Sequence, residues 1–220
     1  MDKGPSFERD CCRLLSLWIT NGKRDDVLWR NRVRITSKTK HAEYQLGDVT
    51  AAHALGIPFI SVFNVELKTG YSKTRKGKRT KNIPWDLLDL IDGKDKTFLN
   101  FWEQTYRDAC ISQRIPLLIF KRDYHEPAVA IRSMDINRFE SYLGFPKYKH
   151  RLVLISKDEW ESIELFNFEE FFDWLHPDAV KMLFHMEEKP KFRLVTNHKK
   201  SKLIRREQCS VKKSKTCLTK

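Results

Sequence analysis

With 220 residues, 40% of them hydrophobic and 12% aromatic, the chain has material for a packed core and is not a disordered protein. No stretch approaches the ~20 apolar residues of a membrane span, and the polar start MDKGPSFERD lacks the apolar core of a secretion signal, so a soluble, cytoplasmic protein is expected. The formal net charge of +13 is uneven: residues 189–220 hold twelve Lys or Arg against Glu207 alone, which leaves +2 for residues 1–188.

In chain order, residues 6–20 read as an amphipathic helix opened by Ser6, with Phe7, Cys11, Leu14, Leu15 and Trp18 at helical spacing and Asn21-Gly22 closing it. Residues 26–35 suggest a short strand and residues 36–47 a loop. A strand region begins at Val49, residues 51–58 read as a turn, and Phe59–Lys68 reads as the best strand of the chain. A basic run, YSKTRKGKRTK (71–81), follows with six Lys or Arg and no acid. Pro84 is placed to open a short helix over 83–92. Apolar residues at 98, 101, 102, 106, 109 and 110 predict a helix over 97–112. Ile115–Lys121 is a compact apolar strand buried on both faces, with 128–131 beside it. Residues 151–155 are a further strand candidate, and 168–175 and 177–187 read as helices. The layout predicts an α/β fold: a mixed central sheet flanked by helices. It divides into a core over 5–132, a C-terminal helical extension over 133–188 packed on that core, and a basic, mobile tail over 189–220.

The five cysteines, Cys11, Cys12, Cys110, Cys209 and Cys217, are odd in number and irregularly spaced, which argues against a disulfide framework. Cys209 and Cys217, with His198 nearby, lack the paired CxxC spacing of a zinc site. No glycine-rich phosphate loop is present, so no nucleotide cofactor is expected. His41 and His53 flank Asp48, but without the partners of a histidine-metal nuclease they read as loop residues.

One segment stands out: Gly47–Gly70, where Gly47-Asp48 precedes an apolar run ending in Glu66-Leu67-Lys68. Side chains two apart on a strand share a face, so Glu66 and Lys68 project together, with Phe63, Val65 and Leu67 opposite. The pattern acidic-x-Lys also occurs at Asp92–Lys94 and Glu187–Lys189, but only Glu66–Lys68 ends an apolar run with an Asp upstream. Spacing alone leaves two readings. The pair is a strand-edge ion pair, or two carboxylates and an ammonium converge to hold a hard divalent cation and activate a water. The two basic segments favour a nucleic-acid backbone as partner.

Together these residues resemble the PD-(D/E)xK nucleases, which share the restriction-endonuclease-like fold. The resemblance spans roughly 7–132 and rests on Glu8 in the first helix, Gly47-Asp48, Glu66-Leu67-Lys68, the helix FWEQTYRDA (101–109) and the strand PLLIFK (116–121). Within that superfamily the chain is most similar to Holliday-junction-resolvase-like proteins of phage type. Glycine replaces the proline that names the motif. The resemblance implies a Mg²⁺-dependent endonuclease (Mn²⁺ as substitute) acting on DNA, structure-selective for junctions or flaps, and working as a homodimer. Asp48, Glu66 and Glu8 would bind the metal and Lys68 would orient or deprotonate the attacking water. Arg9, Arg30, Lys73, Arg75, Lys76, Lys78, Arg79, Lys81, Gln104 and Lys121 would meet DNA, with Gln113 a weaker candidate and Trp85 a candidate for stacking on a base. A sequence-specific restriction or defence enzyme of the same fold, and a non-catalytic DNA-binding module, are the competing readings.

Overall fold

A computed structural model describes residues 3–31, 46–69, 74–75, 78–79, 97–121, 125–144, 151–155 and 162–186. The predicted helix over 83–92, His41, Trp85 and the basic tail lie outside them.

Helix α1 (Lys3–Ile19) starts earlier than Ser6 predicts. Pro5 sits in its first turn, where no backbone N–H partner is needed. Its buried face is Phe7, Cys11, Cys12, Leu15 and Ile19. Asn21 ends it in the left-handed region (φ 52°), while Asn21 N–H and Gly22 N–H donate to the Trp18 and Leu17 carbonyls. This paired reversal satisfies the last orphan carbonyls of the helix. Ser16, fully buried, then docks the next element: its Oγ accepts from Leu28 N–H at 2.9 Å and donates to the Cys12 carbonyl at 2.7 Å.

That element is strand β1 (Leu28–Arg30), which pairs antiparallel with β2 (Val49–Ala51). The expected turn over 51–58 contains a 3-10 turn (Ala54–Gly56) and the start of helix α2 (Ile57–Val62). The apolar run from Phe59 is therefore not one strand. Its first part is helical, because Pro58 fits the first turn of α2 while Phe59 and Val62 turn into the core. Strand β3 (Phe63–Thr69) begins only at Phe63. Within the basic run, β4 (Thr74–Arg75) and β5 (Lys78–Arg79) form a two-stranded ribbon.

Helix α3 (Thr97–Ser112) crosses from β3 to β6 (Ile115–Lys121), which pairs parallel with β3, as a strand–helix–strand connection requires. Both follow the predicted boundaries. β7 (Ala128–Arg132) lies antiparallel to β6. Helix α4 (Ser133–Leu143) and strand β9 (Ser162–Asn167) were not anticipated, whereas β8 (Arg151–Ile155) was. Helices α5 (Phe168–Trp174) and α6 (Pro177–Met186) close the described chain.

The central sheet runs β3-β6-β7-β9-β8, mixed and five-stranded, as the α/β reading expects. Residues 133–186, expected as an extension packed on the core, contribute two strands to that sheet. Its faces are unequal. One carries a large core that joins Phe7, Leu15, Phe59, Phe139, Phe171 and Leu183 to Val65, Leu117, Ile119 and Ile131. The other carries a smaller core of Phe98, Trp102, Leu118, Ala130, Ile163 and Leu165, under α3.

Because β9 lies between β7 and β8, the C-terminal third and the first helix share one core. Phe171→Ala should cost about 3–5 kcal/mol, the usual loss for a buried Phe. Urea unfolding followed by circular dichroism should show one transition at lower midpoint; a separate early transition that spares the sheet would show that 133–186 folds apart.

Candidate active site

Among the described residues β3 is the outer strand of the sheet, so one row of its backbone groups has no strand partner there. Asp48 satisfies two of them. Its N–H donates to the Val65 carbonyl at 2.7 Å, and its Oδ2 accepts from Leu67 N–H at 2.8 Å. The carboxylate is thus fixed against the strand on either side of Glu66. Asn31 braces the same turn from β1's end: its N–H donates to the Asp48 carbonyl at 2.7 Å and its Nδ2 to the Gly47 carbonyl at 3.1 Å.

This docking explains the missing proline. Gly47 has φ +91°, and a Cβ there would stand 2.8 Å from the Val65 carbonyl oxygen. Proline is fixed near φ −65° and fits neither constraint.

Glu66 lies on the α3 face of β3, 3% exposed. Its Oε1 accepts two bonds, from Lys68 Nζ at 2.5 Å and from Gln104 Nε2 at 2.7 Å. Lys68, two residues on and on the same face, also lies over the Phe101 ring, 5.4 Å from its centre. Phe101 and Gln104 are three apart on α3, so one side of that helix holds both members of the pair. The predicted convergence of Glu66 and Lys68 is therefore present, with Gln104 as a third member. Both bonds to Glu66 fall on Oε1 and the side-chain bond of Asp48 falls on Oδ2; Oε2 and Oδ1 carry none of them.

Electrostatics strain the two carboxylates. Burial pushes the Asp48 carboxyl above its ordinary value, more than the Leu67 N–H and the nearby Lys68 charge pull it down. Burial, followed by the Asp48 charge, pushes Glu66 up to about 7 despite its bond to Lys68. Desolvation decides both cases. Each group is less stable there as a bare anion than it would be in water, a cost that a bound cation would offset.

Glu8 and Arg30 pair with each other, Arg30 Nη2 to Glu8 Oε2 at 2.5 Å. The Glu8 charge reaches Asp48 and raises it further. Among the described residues no group of three or more His, Cys, Asp or Glu side chains is placed to hold a metal ion. Asp48 and Glu66 are the candidate ligands, and Glu8 stands against its arginine.

The remaining predicted residues scatter. Arg9 is exposed on α1. Lys121, paired with Thr69 in the β3–β6 register, falls by strand alternation on the other face, where its charge acts on the buried Cys11 thiol. Gln113 is the left-handed residue that ends α3 (φ 56°), nine residues or about 13 Å of helix beyond Gln104. Arg75, Lys78 and Arg79 belong to the β4–β5 ribbon, while Lys73, Lys76 and Lys81 lie outside the described residues. His53 caps the 3-10 turn, its Nδ1 accepting from Leu55 N–H at 3.2 Å. Asn31, one polar residue in a charged stretch, escaped the sequence reading; Phe101 was read as an apolar position of the helix, and its contact with Lys68 was not foreseen.

A family model described as "Phage putative PDDEXK endonuclease" matches residues 1–181. The chain belongs to that family. The α/β architecture agrees with the restriction-endonuclease-like fold that such nucleases share, and the match reaches through β9 and α5, so the family's extent includes the strands beyond Arg132. No curated protein and no solved structure matches the chain. No helix among the described residues is long and apolar enough to cross a membrane.

The raised Glu66 value has a thermodynamic sign. Between the ordinary 4.5 and about 7, the folded protein holds a proton that the unfolded chain releases. In metal-free buffer this group's contribution to stability therefore falls as pH rises through that window. Glu66→Gln should remove that slope, seen as a smaller difference between urea midpoints at pH 5 and pH 7.5 than in the wild type. An equal or steeper dependence in the variant would contradict the assignment.

Proposed function

We propose that this nuclease is a divalent-metal-dependent DNA endonuclease whose centre is Asp48, Glu66 and Lys68. The observation that carries the reading is a pair of carboxylates, Glu66 buried and Asp48 half-buried, both raised above their ordinary values, with an ammonium on the strand face of Glu66. A hard dication suits such a pair: carboxylate oxygens are its preferred ligands, and its charge offsets the desolvation and the lesser like-charge repulsion that raise both groups. Mg²⁺, or Mn²⁺ in its place, would be held by Asp48 and Glu66. When bound it would polarise the phosphodiester and make water more acidic.

The chain's own groups supply the rest. Leu67 N–H keeps the Asp48 carboxylate on the strand edge, so no ordering remains to be done when ligand arrives. Gln104 orients Glu66 from α3. Lys68, held near Glu66 and Phe101, positions the attacking water and stabilises the negative charge that develops on phosphorus oxygens. Glu8 adds negative potential beside Arg30 rather than a direct bond. The six cations of residues 71–81, next along the chain after β3, grip the DNA backbone and make binding salt-dependent. Selectivity for junctions or flaps is proposed from the likeness to resolvases.

Labelled duplex, single-strand, flap and four-way-junction DNAs incubated with Mg²⁺ test this reading. Branched or flapped DNA should be cut fastest. Lys68→Ala and Asp48→Asn should each lower the cleavage rate roughly 10²–10⁴-fold while binding in EDTA stays within a few-fold of wild type. Cutting that survives both substitutions sinks the assignment.

Metal binding is separable from cutting. Mg²⁺ should raise the thermal midpoint more at pH 7.5 than at pH 5, because protons compete for Glu66 at the lower pH. Asp48→Asn should abolish that Mg²⁺ effect. A midpoint shift that is independent of pH and of Asp48 would place the ion elsewhere.

A further inference from the structure

A cavity of about 230 Å³ opens between α1 and the segment leading into β1, lined by Arg9, Cys12, Arg13, Leu28, Trp29 and Arg30, with Asp10, Asp25 and Asp26. It is smaller than the roughly 300–1,000 Å³ of pockets that enclose drug-sized ligands. Trp29 is 45% exposed there. Among the described residues its side chain makes no hydrogen bond and no ring contact. A large aromatic nearly half exposed beside a cavity, on a strand of three residues, keeps part of its surface free to meet a flat ligand.

The cavity also abuts the catalytic strand edge. Trp29 pairs with Thr50 and Arg30 with Val49 across the β1–β2 ribbon, and Asp48 immediately precedes β2. Cys12, in the cavity wall, feels the charges of Glu8, Asp48 and Arg30.

Charge defines what fits. Arg13 is paired with Asp25 at 3.1 Å, Asp26 with Arg24 at 2.8 Å, and Arg30 with Glu8. The interior is thereby close to neutral, which suits an uncharged ring better than a phosphate-rich ligand. Two donors remain. Arg9 is exposed and has no ion-pair partner among the described residues. The Nε of Arg30 is buried and has no hydrogen-bond partner among them. An aromatic face, a compact near-neutral cavity and residual guanidinium donors together match one nucleotide of an unpaired strand. The base stacks on Trp29 and the flanking phosphate meets Arg9.

We infer that this cavity is a subsite for a single unpaired nucleotide of the DNA substrate, which stacks on Trp29 as the strand leaves the Asp48–Glu66 centre. The inference rests on the nuclease reading for its substrate class. It adds a reason for preferring DNA with a flap, fork or frayed end, since a base in an intact duplex is not free to stack.

The test is equilibrium binding of the full chain, in EDTA, to a fluorescein-labelled four-nucleotide thymidylate strand and to a blunt duplex, followed by anisotropy. Trp29→Ala should weaken single-strand binding about tenfold or more, from the stacking lost, and leave duplex binding within twofold. Trp29→Phe, which keeps an aromatic face, should restore most of the loss, and Arg9→Ala should weaken it further in the Trp29→Ala background. Equal losses on strand and duplex, or an unchanged single-strand affinity in Trp29→Ala, overturn the subsite. A circular-dichroism melt matching wild type excludes misfolding as the cause. Because binding is read without metal, the two readings fail separately: strand binding lost in Trp29→Ala with no cleavage by wild type keeps the subsite and removes the nuclease, and the converse does the reverse.

Discussion

The candidate site depends on one docking event: a single residue, Asp48, replaces a neighbouring strand at the open edge of β3. Its amide and its carboxylate take the places of two rungs of a hydrogen-bond ladder, at Val65 and Leu67. An unpaired sheet edge is a liability in solution. Here the same groups that would invite another strand instead fix a carboxylate to within hydrogen-bond tolerance. The positive φ of Gly47 and the bonds from Asn31 follow from the closeness this demands.

From that anchor the chemistry assembles across layers. The large core holds the odd-numbered side chains of β3 against α1, so the even-numbered ones must face α3. A strand held this firmly on one face can present Glu66 and Lys68 on the other without freedom to rotate. Helix α3 then contributes Gln104 and Phe101 to that pair. Desolvation raises the energy of both carboxylates, a cost the fold sustains because the surrounding core is extensive. Sites that bind cations commonly carry this kind of local destabilisation, which ligand relieves.

Much of this was legible in the chain, for identifiable reasons. The Glu66–Lys68 face follows from strand alternation, and α3 and β6 are long elements with clean apolar patterns, so their limits were readable to the residue. Phe59–Val62 was misread as strand because a short apolar run has no period to separate one turn of helix from extended chain. Pro58 was the available signal. Helix α4 was missed because Ser133–Leu143 mixes its buried Ile136 and Phe139 with charged residues, and β9 because Glu164 interrupts its apolar run. The Glu8–Arg30 pairing and the bracing by Asn31 join residues 22 and 16–17 apart through tertiary contacts, which no local pattern records.

The bond from Gln104 to Glu66 has a topological consequence. It joins the middle of β3 to the middle of α3 across 38 positions of sequence, and so closes a long loop through a candidate metal ligand. A loop closed at its base can change length cheaply, since doubling its residues adds only about 0.6 kcal/mol of closure entropy. Insertions or deletions between residues 70 and 96 would therefore cost the fold little, while the strand that carries Glu66 and Lys68 stays held by the large core.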